Sequence, residues 1–107
     1  MNSERIAILK SYIEKEPTNP FNKYALAMEY YEAQPERAMQ LLTTLTSEHP
    51  DYLPTYYKAA HLFWEYEKYH EAEDMFTKGI EFATHQNNKK ALEELKAAFL
   101  NFQYERD

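Results

Sequence analysis

Apolar positions recur along this chain at i, i+3, i+4 and i+7 over most of its length, the spacing that gathers residues on one face of a helix turning roughly 100° per residue. Prolines and asparagines interrupt the pattern. Ser3 is the expected cap of a first helix running to about Glu16, with Ile6, Leu9 and Ile13 facing inward and Pro17 ending it. Asn19 as cap, with Pro20 at the first helical position, opens a second helix to about Ala33. Pro35 opens a third through Ala38, Leu41, Leu42 and Leu45, and Pro50 ends it. Asp51 is the expected cap of a fourth, to about Glu67, in which Pro54 is tolerable only because it lies in the first turn. A fifth spans about Tyr69 to Ala83, with Ala72, Phe76, Gly79, Ile80 and Ala83 on one face. After the polar stretch "THQNN", where Asn87 or Asn88 serves as cap, a sixth carries Leu92, Leu95, Ala98, Phe99 and Phe102. Six helices with short connections predict an all-α, antiparallel stack.

The fourth helix carries more than a core stripe. Its sequence, "YYKAAHLFWEYEKYH", crowds rings together with no Val, Ile or Gly. Tyr56, Ala59, Ala60 and Phe63 make one stripe, the mark of a core-facing helix. Tyr57, His61 and Trp64 make a second, about 100° away. Such a helix packs on one side and offers the other to something else.

The helices also repeat. "KEPTNPFNKYALAMEYY" aligns without gaps on "EHPDYLPTYYKAAHLFW", Pro17 on Pro50, a shift of 33 residues. Downstream, "ERAMQLLTTL" aligns on "HEAEDMFTKG", Ala38 on Ala72 and Leu42 on Phe76, a shift of 34. A period of this length belongs to solenoids of helix pairs. The residues resemble the tetratricopeptide repeat, whose pattern is W-x-x-L-G-x-x-Y, then A-x-x-x-F, then a closing Pro. One copy reads Leu26, Ala27, Tyr30, Ala38, Leu42 and closing Pro50; the next reads Tyr56, Ala59, Ala60, Phe63, Ala72, Phe76 and small Gly79. The resemblance spans about Pro17 to Thr84. Lys23 stands in the aromatic slot of the first copy, Leu45 in a small slot and Thr84 in the closing proline's place, and Gln34 and Glu67 stand where a turn glycine is usual. The implied organisation is a single domain, 1–107: an N-terminal half-repeat helix at 1–17, repeats at 18–50 and 51–84, and a C-terminal capping helix at 85–107. The first helix aligns with the second helix of each pair, Leu9 on Leu42 and Phe76 and Ile13 on Ile80, with Arg5 where the others have Ala. The last helix has a polar outer face of Glu93, Glu94, Lys96 and Gln103, as a terminal cap requires.

Composition narrows the function. The chain has 107 residues and a formal net charge of −6, with 18 acidic against 12 basic residues, a balance opposed to phosphate-neutralising nucleic-acid binding. A single glycine argues against hairpins and phosphate-cradling loops. No cysteine means no disulfide framework and no thiolate metal site, and is compatible with a reducing compartment. "MNSERIAILK" does not read as a signal peptide, and no run of about 18 apolar residues suits a membrane span. A cytoplasmic setting is expected. His49, His61, His70 and His85 are scattered; Glu67-x-x-His70 supplies only half of a di-iron helix motif. No H-E-x-x-H motif and no nucleophile elbow around Ser3, Ser11 or Ser47 occurs, so neither catalysis nor a cofactor is expected.

What the resemblance implies is a binding module. In that family the first helix of each pair lines a concave groove. The groove positions here are Tyr24, Met28 and Tyr31 on one helix and Tyr57, His61 and Trp64 on the next, aligned at the 33-residue shift. Aromatics and Met at such positions suit partner recognition. The competing reading makes the stripe ordinary core covered by the last helix. The expected partner is a peptide or helix with apolar anchors and basic residues, because Glu32 and Glu65 stand nearby and would repel a carboxylate tail. The alternative is homo-oligomerisation through the same stripe or the C-terminal helix, with a monomer or weak homodimer expected.

Overall fold

The computed structural model describes residues 1–106. Among them the chain forms six α-helices and no strand: α1 (Ser3–Lys15), α2 (Pro20–Tyr30), α3 (Pro35–Glu48), α4 (Pro54–Glu65), α5 (Tyr69–His85) and α6 (Lys89–Arg106). They fall into two compact units, one of Met1–Tyr52 and one beginning at Leu53. In the first, α2 packs against both α1 and α3; in the second, α5 packs against both α4 and α6.

Local chemistry sets most of the boundaries. Asn19 Oδ1 accepts from the Phe21 N–H at 3.0 Å, with Pro20 following at the first helical position. Asn88 Oδ1 accepts from the Ala91 N–H at 3.1 Å and so starts α6. Two expected caps move. Asn2, not Ser3, caps α1: its Oδ1 accepts from the Arg5 N–H at 3.0 Å, and Ser3 is already helical. Asp51 does not cap α4, because Leu53 takes the cap position in a right-handed helical conformation with no side-chain cap bond. The turn at His49–Tyr52 (Tyr52 N–H to His49 C=O, 3.0 Å) leads into the helix, and Asp51 lies two residues before the cap position.

The missing turn glycines are handled differently in the two copies. Glu67 takes a left-handed φ of 60° after α4, and the Lys68 N–H closes onto the Phe63 carbonyl at 2.8 Å. That six-residue closure is what a C-terminal glycine usually serves. Asn87 repeats it after α5, with φ 55° and the Asn88 N–H on the Ala83 carbonyl at 3.0 Å. Between α2 and α3 no left-handed residue is used; Gln34 has φ −136° and its N–H bonds the Tyr30 carbonyl at 2.8 Å.

The motif residues form the cores. In the first unit Leu26, Ala27, Tyr30, Ala38, Leu42 and Leu45 are buried. In the second, Tyr56, Ala59, Ala60, Phe63, Ala72, Phe76, Gly79 and Ala83 are buried, and α6 adds Leu95, Ala98 and Phe102. Lys23, standing where a ring is usual, reaches Glu48 with Nζ at 2.7 Å and ties α2 to α3 by charge. Arg5 likewise meets Glu29 of α2 at 2.6 Å.

Gly79 is where three helices meet. A Cβ there would lie 2.7 Å from the Tyr56 Cβ of α4 and 3.1 Å from Leu95 Cδ1 of α6. The Tyr56 Cβ is fixed to its backbone, so the helices themselves would have to part. Gly79→Ala should therefore destabilise by about 1–3 kcal/mol, outweighing the roughly 1 kcal/mol that helix propensity favours alanine. Thermal melting that shows an unchanged or raised midpoint would refute this close approach. Glu67→Gly should do the reverse, adding about 0.5–1 kcal/mol by relieving a left-handed side-chain clash; urea denaturation of that single variant measures it.

Candidate functional site

The aromatic stripe of α4 forms a continuous row. Tyr57 lies with its ring centre 4.4 Å from His61, and His61 stacks on Trp64 at 5.6 Å and 30°. Residues four and three apart on a helix are surface neighbours, so the spacing itself creates the row. Exposure falls along it: Tyr57 is 37% exposed, while His61 and Trp64 are half-buried.

Rings of other helices back the row. His61 and Trp64 each meet Phe76 of α5 edge-on, at 6.0 and 6.4 Å. Trp64 also meets Phe102 of α6 at 5.3 Å and 88°. Phe102 touches Phe76 and Phe99 and lies under the Arg106 guanidinium at 5.3 Å. The last helix thus seats one end of the row at Trp64, and Tyr57 remains the exposed end. Phe76, Phe99 and Phe102 were visible in the sequence as apolar helix positions. The sequence left open that the last helix covers the stripe, and Phe102 does meet Trp64; which ring meets which depends on how three helices come together.

In the first unit Tyr24, Met28 and Tyr31 of the α2 register are all half-buried, with Tyr31 at the C-terminal cap. Tyr24 packs edge-on against Tyr52 at 5.8 Å and 68°. Burial, aided by Tyr52, pushes the Tyr24 phenol above its usual pKa, and burial does the same for Tyr52. Both phenols therefore ionise only at higher pH than an ordinary tyrosine. Tyr52 lies between helices, where no periodicity marks it as part of a ring pair.

His61 has an uncommon environment. Its Nε2 is buried and has no hydrogen-bond partner among the described residues. Burial, with a smaller contribution from Lys58, lowers its pKa below the ordinary 6.5. It is a neutral, ring-shaped spacer at neutral pH. Among the described residues no three or more His, Asp or Glu side chains are arranged to hold a metal ion, and no helix is long and apolar enough to cross a membrane.

Two solved structures of a tetratricopeptide repeat domain protein from Salinibacter ruber are similar to this chain, each at 35% identity. The crystal structure superposes with a TM-score of 0.74 over 79% of this chain and 96% of its own. The solution NMR structure gives 0.75 over 81% and 89%. No protein-family model and no curated protein matches the sequence.

The His61 environment has a pH consequence. The folded state resists the proton that the unfolded chain accepts near pH 6.5, so stability present above that pH is lost as pH falls toward the lower folded pKa. Urea midpoints measured at pH 7.5 and 5.5 should differ more for the wild type than for His61→Phe, which keeps a ring and removes the titration. An equal drop in both proteins would show that His61 plays no part.

Proposed function

The chain belongs to the tetratricopeptide repeat family, and we propose that it is a non-enzymatic interaction module binding a peptide or helix of a partner protein through the aromatic stripe of α2, that of α4, or each in turn. Domains of this family serve in general as protein-interaction modules. The observation that carries the finer reading is the α4 row, in which an exposed Tyr57 is stacked on His61 and Trp64 and the row is backed by Phe76 and Phe102. Rings held in this way lose little freedom on binding, which is why anchors of interfaces are so often aromatic. In this reading Tyr24, Met28 and Tyr31 are the partner-contacting positions of the first unit, and Tyr57, His61 and Trp64 those of the second.

The partner follows from charge and ring chemistry. Aromatic faces attract Lys or Arg at about 6 Å, worth roughly 0.5–2 kcal/mol. Glu32 and Glu65 are exposed beside the stripe and add an attraction that salt screens. A segment with apolar anchors and basic residues suits both. A second reading, homo-oligomerisation, draws on α6, where Leu100 is 56% and Tyr104 79% exposed. Solution mass over a concentration series separates the two readings.

A peptide-array screen followed by titration of the best hit tests the first. Tyr57→Ala should weaken binding by about 2 kcal/mol, roughly thirtyfold, while leaving the melting temperature nearly unchanged. Trp64→Ala should weaken it too, with a loss of stability from the empty place against Phe102. Lys58→Ala should matter little. Acidic hits, or a Tyr57→Ala protein that binds as the wild type does, would overturn the assignment.

A further inference from the structure

α2 has another side, turned roughly 100° from Tyr31 at the neighbouring Tyr30. There Leu26 and Tyr30 floor a pocket of about 370 Å³, bounded by α1 and by Leu41 of α3. Lys10 of α1 and Arg37 of α3 stand at its rim. Among the described residues neither makes an ion pair, in a chain whose net charge is −6.

Arg37 is held in place. Its guanidinium lies 5.3 Å from the centre of the Tyr30 ring, and Nη1 donates to the Tyr30 hydroxyl at 3.3 Å. Tyr30 is only 3% exposed, so the arginine, itself exposed, rests on a buried ring. That bond uses one of five guanidinium N–H donors and leaves the Tyr30 proton to be donated onward. Gln40 and Thr44, one turn apart on α3, add neutral polar groups to the lining.

A guanidinium fork matches a carboxylate in plane and spacing, and a fixed fork loses less freedom on engaging one. The floor of Leu26, Leu41 and the Tyr30 ring offers nothing to a bare ion and much to a hydrocarbon group. The volume lies toward the small end of small-molecule sites. We propose that this pocket binds a small monocarboxylate with an apolar body, its carboxylate between Arg37 and Lys10 and its hydrocarbon part on Leu26, Leu41 and Tyr30. The site is separate from the partner stripe and stands whether or not that reading does.

Titration of the ¹⁵N-labelled full chain with sodium hexanoate tests it. The expected result is saturable shifts of the Leu26, Tyr30 and Leu41 amides. Hexanamide, which lacks the charge, and acetate, which lacks the body, should each bind about tenfold more weakly or worse. Lys10→Gln and Arg37→Gln should each weaken hexanoate to a similar degree, and Lys78→Gln, in the other unit, should leave it unchanged. If Arg37→Gln disturbs the fold, as its spectrum would reveal, Lys10→Gln decides alone. No saturable shift, hexanamide binding as well as hexanoate, or a folded Lys10→Gln protein with unaltered affinity would overturn the proposal.

Discussion

Two helices cannot approach closely where both carry side chains at the crossing, and α5 is approached from two sides. Gly79 resolves this by letting Tyr56 of α4 and Leu95 of α6 reach the α5 backbone at one level. Ala72 and Ala83 keep the rest of that face low, and both are fully buried. With the small residues at the crossings, the large ones must fill the spaces between. Phe76, one turn before Gly79, does so by touching His61 and Trp64 on one side and Phe99 and Phe102 on the other. Helix spacing makes the aromatic row of α4, and close helix approach is what brings Phe76 behind it. There Phe76 is fully buried.

The same arrangement sets what α4 offers to a ligand. Its core stripe is fully committed, with Tyr56, Ala59 and Ala60 inaccessible and Phe63 nearly so. Its second stripe is graded from exposed Tyr57 to Trp64 seated on Phe102. The row has one exposed ring and two half-buried ones packed on Phe76. Its cost is a histidine whose Nε2 lies buried without a partner, tolerable only while the ring is neutral.

Much of this was legible in the chain. The 33- and 34-residue shifts place Ala38 on Ala72 and Leu42 on Phe76, and these residues are buried as the repeat requires. Helix existence followed from periodicity, Asn19 acts as the expected cap, and of the two asparagines expected to start the last helix it is Asn88 that caps. What escaped was geometry that depends on context. Asp51 lost its cap because the preceding turn was already helical at Leu53. Glu67 adopts a left-handed φ where no side-chain preference calls for one. Tyr52 joined Tyr24, and Phe102 joined Trp64, through contacts between segments that no local pattern encodes. The pocket beside Tyr30 escaped for the same reason, since Lys10 and Arg37 lie on different helices and resemble any other solvated charges.

That pocket changes how the charge balance is understood. A net charge of −6 argues against anionic partners only if it acts as a single distant charge. At physiological salt, screening over about 8 Å leaves the nearest groups in control. On one flank of α2 the nearest groups are Lys10 and Arg37, without acidic partners among the described residues. Beyond its C-terminal end, next to Tyr31, lies exposed Glu32. The charges near α2 thus differ in sign from one place to another, and none of the three belongs to the helix itself. The proposed preference of the Arg37 pocket for a carboxylate thus rests on its nearest charges and not on the sum over the chain.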